Sequence, residues 1–244
     1  PDTVTCIGDE AFRGSGVREL TLGTNLVEIQ GSAFLGCSNL TEVTLPASVV
    51  NLADSAFDYC SQLRGIRFGA RVRWATSPGN GSFVECRQLQ AIEVAVGNPD
   101  VCSVDGVLYD KGVTRLLRCP SGKSAVKIPD TVIEIADSAF RTCHGLLPSE
   151  MPAGEGSSRA EIPGTVKRVG NYAFAGRGTL SEVALGHGIV EIGDGAFRGC
   201  YPVTAIELPG SVAAIGSEAF AYMKGLVRVD VGAGVTNIGV RAFA

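Results

Sequence analysis

Histidine is nearly missing from this sequence: His144 and His187 are the only two among 244 residues. With no Cys-x-x-Cys pair either, the usual ligand sets for a structural zinc are lacking. Positive charge is also short. Twenty-one Lys and Arg against 25 Asp and Glu leave a net charge of −4, where a nucleic-acid binder normally shows a basic excess. No apolar run approaches the roughly 18 residues needed to cross a bilayer, so this fragment holds no membrane span. Gly-x-Ser-x-Gly, the P-loop, His-Glu-x-x-His and the EF-hand loop are absent as well. Gly154-Glu155-Gly156 is a loop fragment without the strand and helix that make a phosphate cradle. These absences leave no catalytic residue, no metal ligand set and no cofactor to assign, and the chain reads as a protein other than an enzyme.

What the sequence has in excess is glycine, 32 residues, which points to frequent tight turns. It also repeats itself. A small residue followed by phenylalanine recurs at Phe12, Phe34, Phe57, Phe83, Phe140, Phe174, Phe197, Phe220 and Phe243, with spacings of 22, 23, 26, 57, 34, 23, 23 and 23. An aliphatic stands five residues before most of these anchors (Ile7, Ile29, Leu52, Ile135, Val169, Ile192, Ile215, Ile238), and another six residues after (Leu40, Leu63, Leu89, Leu146, Leu180, Val203, Leu226). An alternating stretch such as Leu40-x-x-Val43-x-Leu45 follows, which is the pattern of a half-buried strand. Pro46, Pro129, Pro163 and Pro209 then close it, because proline cannot continue a ladder from inside. One such unit cannot bury its apolar face alone; stacked units form a continuous core.

The string Ile-Gly-x-x-Ala-Phe-x-Gly-Cys-x-x-Leu-x-x-Val-x-Leu-Pro, best seen from Ile192 to Pro209 and from Ile215 to Val231, resembles the bacterial cell-surface leucine-rich repeats called BspA-like or Treponema-type. The resemblance covers essentially the whole chain. It implies a β-rich, right-handed curved leucine-rich-repeat solenoid with a parallel concave sheet of short strands and 3-10 turns on the convex side. It also implies adhesion, host contact or partner binding, and a place on the cell surface, outside the cell or in a periplasm. Pro1 and Ala244 both fall within a repeat, so the ends read as fragment ends. Two departures stand out: the first repeat has Val17 where the leucine belongs, and the repeat before Phe83 has Pro78 at the aliphatic position.

Two insertions interrupt the period. The expected organisation is one continuous domain, with N-terminal repeats over 1–94, an inserted meander over 95–128 and C-terminal repeats over 129–244. Asp105-Gly106 between alternating apolar runs signals a hairpin, and Asp110-Lys111-Gly112 a second turn, giving three short strands beside the solenoid. This is either a variant repeat or, through Val107, Leu108, Tyr109 and Leu116, the wall of an apolar ligand pocket. A second insertion of 11 residues over about 153–163 reads as a mobile polar loop, after a poor strand at Leu147–Pro152.

Cys37, Cys60, Cys86, Cys143 and Cys200 each follow an anchor Phe by three residues, which fits a small thiol filling an interior corner. Cys102 and Cys119 flank the meander and would pair only in an oxidising compartment. Along the alternating strands, the intervening residues face outward. Glu42, Thr44, Arg67, Glu93, Glu182, Glu207 and Arg228 are among them, and acidic side chains predominate. Arg71, Arg73 and Trp74 join them as candidates, since Trp and Arg are enriched at interface hot spots and an irregular loop lies there. The expected function is a protein-binding module, an exported adhesin or scaffold, whose partner is a host extracellular or cell-surface protein; the alternative is a receptor for a small apolar ligand. Self-association through uncapped solenoid ends is a further option.

Overall fold

The computed structural model describes residues 1–74, 83–123, 126–141 and 158–244. It divides into two compact units, Pro1–Gly112 with Arg118–Lys123, and Val113–Leu117 with Ser124–Ala244. In the first lie β1 (Cys6–Ile7), β2 (Glu28–Ile29), β3 (Glu42–Thr44), β4 (Asn51–Leu52), β5 (Gly65–Phe68), β6 (Arg73–Trp74), β7 (Ala91–Val94), β8 (Val101–Val104) and β9 (Val107–Asp110). The second carries β10 (Arg115–Arg118, its first three residues), β11 (Glu134–Ile135), β12 (Ser158–Ile162), β13 (Arg168–Val169), β14 (Leu180–Leu185), β15 (Glu191–Ile192), β16 (Ala205–Glu207), β17 (Ala214–Ile215), β18 (Arg228–Asp230) and β19 (Asn237–Ile238). Among the described residues there is no helix, and hence none long and apolar enough to cross a membrane. Each unit is a parallel β-solenoid.

A clean repeat contributes two strands. The shorter one ends in the aliphatic that precedes the anchor Phe, and successive copies pair in parallel: Ile7 with Ile29 and Leu52 in the first unit, Ile135 with Val169, Ile192, Ile215 and Ile238 in the second. The longer strand is the alternating one. In β3 it buries Val43 and exposes Glu42 and Thr44, as its period of two requires. Between the two strands the chain turns past the Phe. Phe34, Phe57, Phe140, Phe174, Phe197 and Phe220 are buried and stack on their neighbours with ring centroids 4.8–5.4 Å apart in every regular pair. That distance is close to the ~4.8 Å spacing of parallel strands, so the backbone ladder sets the ring stack.

Among the described residues the corners are single turns, with no continuous 3-10 helix. Ala11, Arg13 and Ser15 each donate to the carbonyl three residues back, whereas Glu10, Phe12 and Gly14 donate to Gly31, Ala33 and Leu35 of the next repeat. Left-handed residues two before and two after the Phe, such as Glu10 and Gly14, or Ser32 and Gly36, prevent a continuous helix. Alternate N–H groups therefore extend the inter-repeat ladder through the corner. The glycine of Phe-x-Gly-Cys is explained by its φ of 67° at Gly14 and 73° at Gly36 and Gly199.

The irregular places differ in detail from the sequence reading. Pro78 lies outside the described residues, but backbone register gives the aliphatic position of that repeat to Trp74, which pairs with Leu52. The extra residues therefore follow the short strand rather than precede it. The poor strand expected at Leu147–Pro152 also lies outside the described residues. Residues 158–162, expected within a polar loop, form β12 and pair with β14, burying Ala160 and Ile162. The sequence Ala160-Glu161-Ile162-Pro163 is the regular strand with its closing proline, and the added residues precede it. Of the expected meander, β8 and β9 form an antiparallel hairpin whose turn residues Asp105 and Gly106 both have positive φ, the signature of the Asp-Gly hairpin turn. The third strand, β10, also joins the short-strand ladder, Arg115 beside Glu134 and Leu116 beside Ile135. It thus serves as the short strand of a variant repeat.

Candidate functional site

The outward positions singled out from the sequence fall on separate surfaces. Parallel register in the first unit places Glu42 beside Gly65 and Ala91 at one level, and Thr44 beside Arg67 and Glu93 at the next. Arg67 Nε donates to Glu93 Oε2 at 2.7 Å, with both side chains well exposed. The edge of this sheet is covered by the hairpin: Ile92 N–H donates to Gly106 O at 2.8 Å and Val94 N–H to Ser103 Oγ at 3.1 Å. Covering the edge blocks strand addition and leaves the face as the accessible surface. Gly65 matters here, because the Glu42 carboxylate lies where its Cβ would be.

Arg71, Arg73 and Trp74 are not on that sheet. Arg73 and Trp74 form β6, which pairs with β4 in the short-strand ladder, and Arg73 meets Asp100 at 3.4 Å. The Trp74 side chain lies outside the described residues. In the second unit Arg159 on β12 reaches Glu182 on β14 at 3.4 Å. Ala205 pairs with Arg228 and Glu207 with Asp230, while Arg228 folds back onto Asp230 of its own strand at 2.8 Å. Those ion pairs are exposed, and each is worth little to stability. They do fix the direction in which charges are presented.

Val107, Leu108, Tyr109 and Leu116, candidates for a pocket wall, are each 1 % exposed or less. They fill the interior, and burial pushes the Tyr109 hydroxyl well above its ordinary range. Asn98 was not singled out from the sequence, yet it is fully buried and organises this place. Its amide donates to Val72 O at 3.1 Å, and its carbonyl accepts from Asp100 and Val101 N–H at 3.0 and 3.1 Å.

The cysteine ladder has a role beyond filling space. Cys37, Cys60, Cys86 and Cys200 each donate their thiol to the carbonyl of the anchor Phe one repeat earlier (Phe12, Phe34, Phe57 and Phe174) at 3.0–3.3 Å. Burial pushes the Cys86 and Cys200 thiols up to about 12, which suppresses the nucleophilic thiolate. Cys102 donates its thiol to Asp110 O at 3.2 Å and Cys119 to Pro120 O at 3.4 Å, and neither is in a disulfide; Cys143 lies outside the described residues. Arg177 takes the ladder position in its own repeat and is buried.

Another surface went unnoticed in the sequence. In the second unit Tyr172, Tyr201 and Tyr222 surround an open recess of about 350 Å³, floored by Ala175, Gly176 and Gly199 and flanked by Arg141 and Arg198. The Arg198 guanidinium stands 4.7 Å from the centroid of the Tyr222 ring and its Nε lies 3.0 Å from Glu218. Tyr172 and Tyr222 occupy the two left-handed corner positions, which several other repeats fill with serine or glycine. That replacement is the sequence signal that would have disclosed the recess. Among the described residues no group of three or more His, Cys, Asp or Glu side chains is arranged to hold a metal ion.

Among curated proteins none is significantly similar to this chain. Three solved structures with the same fold come from bacteria. The pneumococcal vaccine antigen PcpA superposes with a TM-score of 0.75 at 24 % identity over 100 % of this chain and 65 % of its own. A leucine-rich cell surface protein from Faecalibacterium prausnitzii gives 0.62 at 25 % identity, covering 97 % and 69 % of the two chains. A leucine-rich repeat protein from Eubacterium ventriosum gives 0.68 at 21 %, covering 99 % and 74 %. The chain thus spans somewhat less than two thirds of the pneumococcal antigen structure. Six copies of the BspA type leucine-rich repeat region match residues 1–101 and 153–244. The period, the stacked anchor phenylalanines and these matches agree: the chain belongs to the BspA-type leucine-rich repeat family.

Proposed function

We propose that this chain is the protein-binding part of an exported bacterial adhesin or scaffold, and that it engages a protein partner through the exposed faces of its longer strands. The observation that carries this reading is the surface of β3, β5 and β7. Glu42, Thr44, Arg67 and Glu93 project from a parallel sheet whose backbone is paired and whose other face is the packed core. Such a face presents side chains at fixed spacing from a backbone that is already ordered, which lowers the entropy cost of docking. Its mixed charge, two carboxylates to one guanidinium, favours a partner with a basic patch. Glu182, Glu207 and Arg228 offer a comparable face in the second unit. A position at the cell surface is in keeping with the two similar structures, of which the pneumococcal one is a vaccine antigen and the Faecalibacterium one a cell surface protein.

The test is capture from a panel of host extracellular and cell-surface proteins with the immobilised chain. A partner retained by the native chain and released by Glu42→Lys with Glu93→Lys supports the reading. Capture that survives both reversals excludes this face, and absence of any specific partner across the panel overturns the reading as a whole.

A further inference from the structure

We infer that the tyrosine-lined recess of the second unit is a binding site for an acidic sugar, a hexose-type ring bearing a carboxylate, independent of the protein-binding faces proposed above. The recess is a built feature. Its floor is formed by Gly176 and Gly199, whose φ of 74° and 73° suits glycine and whose lack of side chains leaves the backbone open. A Cβ at Gly195 would collide with the Tyr172 ring, so this glycine gives the ring its resting place. Tyr201 leans the other way, its hydroxyl 3.7 Å from where a Cβ of Gly199 would stand.

Two of the three rings stand at left-handed corners. The position two before the anchor Phe is Ser32, Ser55, Ser138 and Gly195 in some copies and Glu10, Glu218 and Arg241 in others; the position two after it is Gly14, Gly36, Gly176 and Gly199 in some and Tyr59 and Glu85 in two others. Tyr172 and Tyr222 adopt the same left-handed backbone, at φ 53° and 58°, a conformation unfavourable for a residue with a Cβ. Both rings remain substantially exposed, at 39 % and 48 %, so core burial does not repay that strain.

The chemistry of the walls selects the ligand. Phenol faces offer flat apolar surface for the C–H face of a sugar ring, and their hydroxyls bond with sugar hydroxyls in the plane. Arg198, ion-paired with Glu218 and set over the Tyr222 ring, presents a guanidinium beside that surface, and Arg141 also lines it. A guanidinium fork matches a carboxylate. A peptide anchor side chain is a poorer fit, because interface hot spots sit in enclosed, desolvated pockets, whereas these rings are half in water. A sugar keeps its outer hydroxyls hydrated and needs no such enclosure.

The experiment exploits the repeat itself. Tyr172→Ser and Tyr222→Gly install residues that other copies already carry at those positions, so the double variant keeps its fold while losing two walls. Binding of a glucuronate-containing disaccharide, N-acetylneuraminic acid, neutral lactose and a glutamate-rich peptide is measured by calorimetry and by ligand-observed NMR at millimolar concentrations. The expected result is binding of the acidic sugars, at least tenfold weaker binding of lactose, and at least a tenfold loss in both the double variant and Arg198→Gln. Lactose binding as tightly as the acidic sugars, acidic-sugar binding unchanged in the double variant, preference for the peptide, or no acidic-sugar binding at all would overturn the assignment. Capture of a protein partner by the longer-strand faces is unaffected by these substitutions, which separates this test from that of the proposed function.

Discussion

The rings of Phe174 and Phe197 lie face to face, 5.1 Å between centroids and 4° from parallel. Both are fully buried, and each is also bound through its own N–H to the next repeat, Phe174 to Ala196 and Phe197 to Ala219, at 2.7 Å. Side-chain stack and backbone ladder run in register, so a defect in one repeat is felt by both neighbours. Phe197→Ala therefore costs about 3–5 kcal/mol, the range for emptying a large aromatic site. A urea titration checks this, with Phe197→Leu expected to lose markedly less.

The left-handed corners make a second prediction of unusual sign. Tyr59 holds φ at 58° with its ring exposed, at a position where other copies carry glycine. Relief of about 1–2 kcal/mol of backbone strain outweighs the ~0.4–1 kcal/mol of chain entropy that glycine adds to the unfolded state. Tyr59→Gly is expected to stabilise by up to about 1 kcal/mol, and Gly36→Ala to destabilise by about as much. Thermal unfolding of the two variants reads both signs.

The buried thiols give a pH prediction. Cys86 and Cys200 are pushed from the ordinary 9.0 up to about 12, chiefly by burial. The folded chain thus holds these protons when the unfolded chain has released them. Their contribution is fully present below about pH 9 and is lost as pH rises toward 12, by about 1.4 kcal/mol per pH unit for each thiol. Stability measured against pH should fall across that window, less steeply in Cys200→Ala. At neutral pH a thiol reagent should label exposed Cys6 quickly and leave Cys60, Cys86 and Cys200 unlabelled until unfolding.

Arg168 bridges strands of the second unit. It lies 3.1 Å from Glu134, 3.5 Å from Asp137 and 3.4 Å from Glu191. Burial works against its charge, but the three carboxylates together raise its pKa above the usual arginine value. Arg168→Met leaves the carboxylates facing one another, at a cost of about 1 kcal/mol, because a shared network exceeds an isolated surface pair. The cost should shrink in high salt, where their repulsion is screened.

The period of 23 and the Phe anchors disclosed the solenoid because stacking demands the same residue at the same place in each copy. The outward charges of β3, β5 and β7 were legible for the same reason, since alternation fixes which side chains leave the core. Register was harder where the period changed. Trp74 is no aliphatic, so its pairing with Leu52 shows only in the backbone ladder. Ala160-Glu161-Ile162-Pro163 carries the strand signature, but it follows a run of small polar residues that masks it in the sequence. The recess around Tyr172 and Tyr222 was hidden because its residues come from successive repeats, and because a left-handed tyrosine leaves no mark in a hydrophobicity pattern.

The most direct test of the account is the affinity of a captured partner for the native chain and for Glu42→Lys, Arg67→Glu and Glu93→Lys combined. The three substitutions reverse every charge of the β3–β5–β7 face among these residues and leave the buried positions untouched. At least a tenfold loss of affinity is expected, with the Tyr172→Ser and Tyr222→Gly double variant still binding as the native chain does. Undiminished affinity in the triple variant would contradict it.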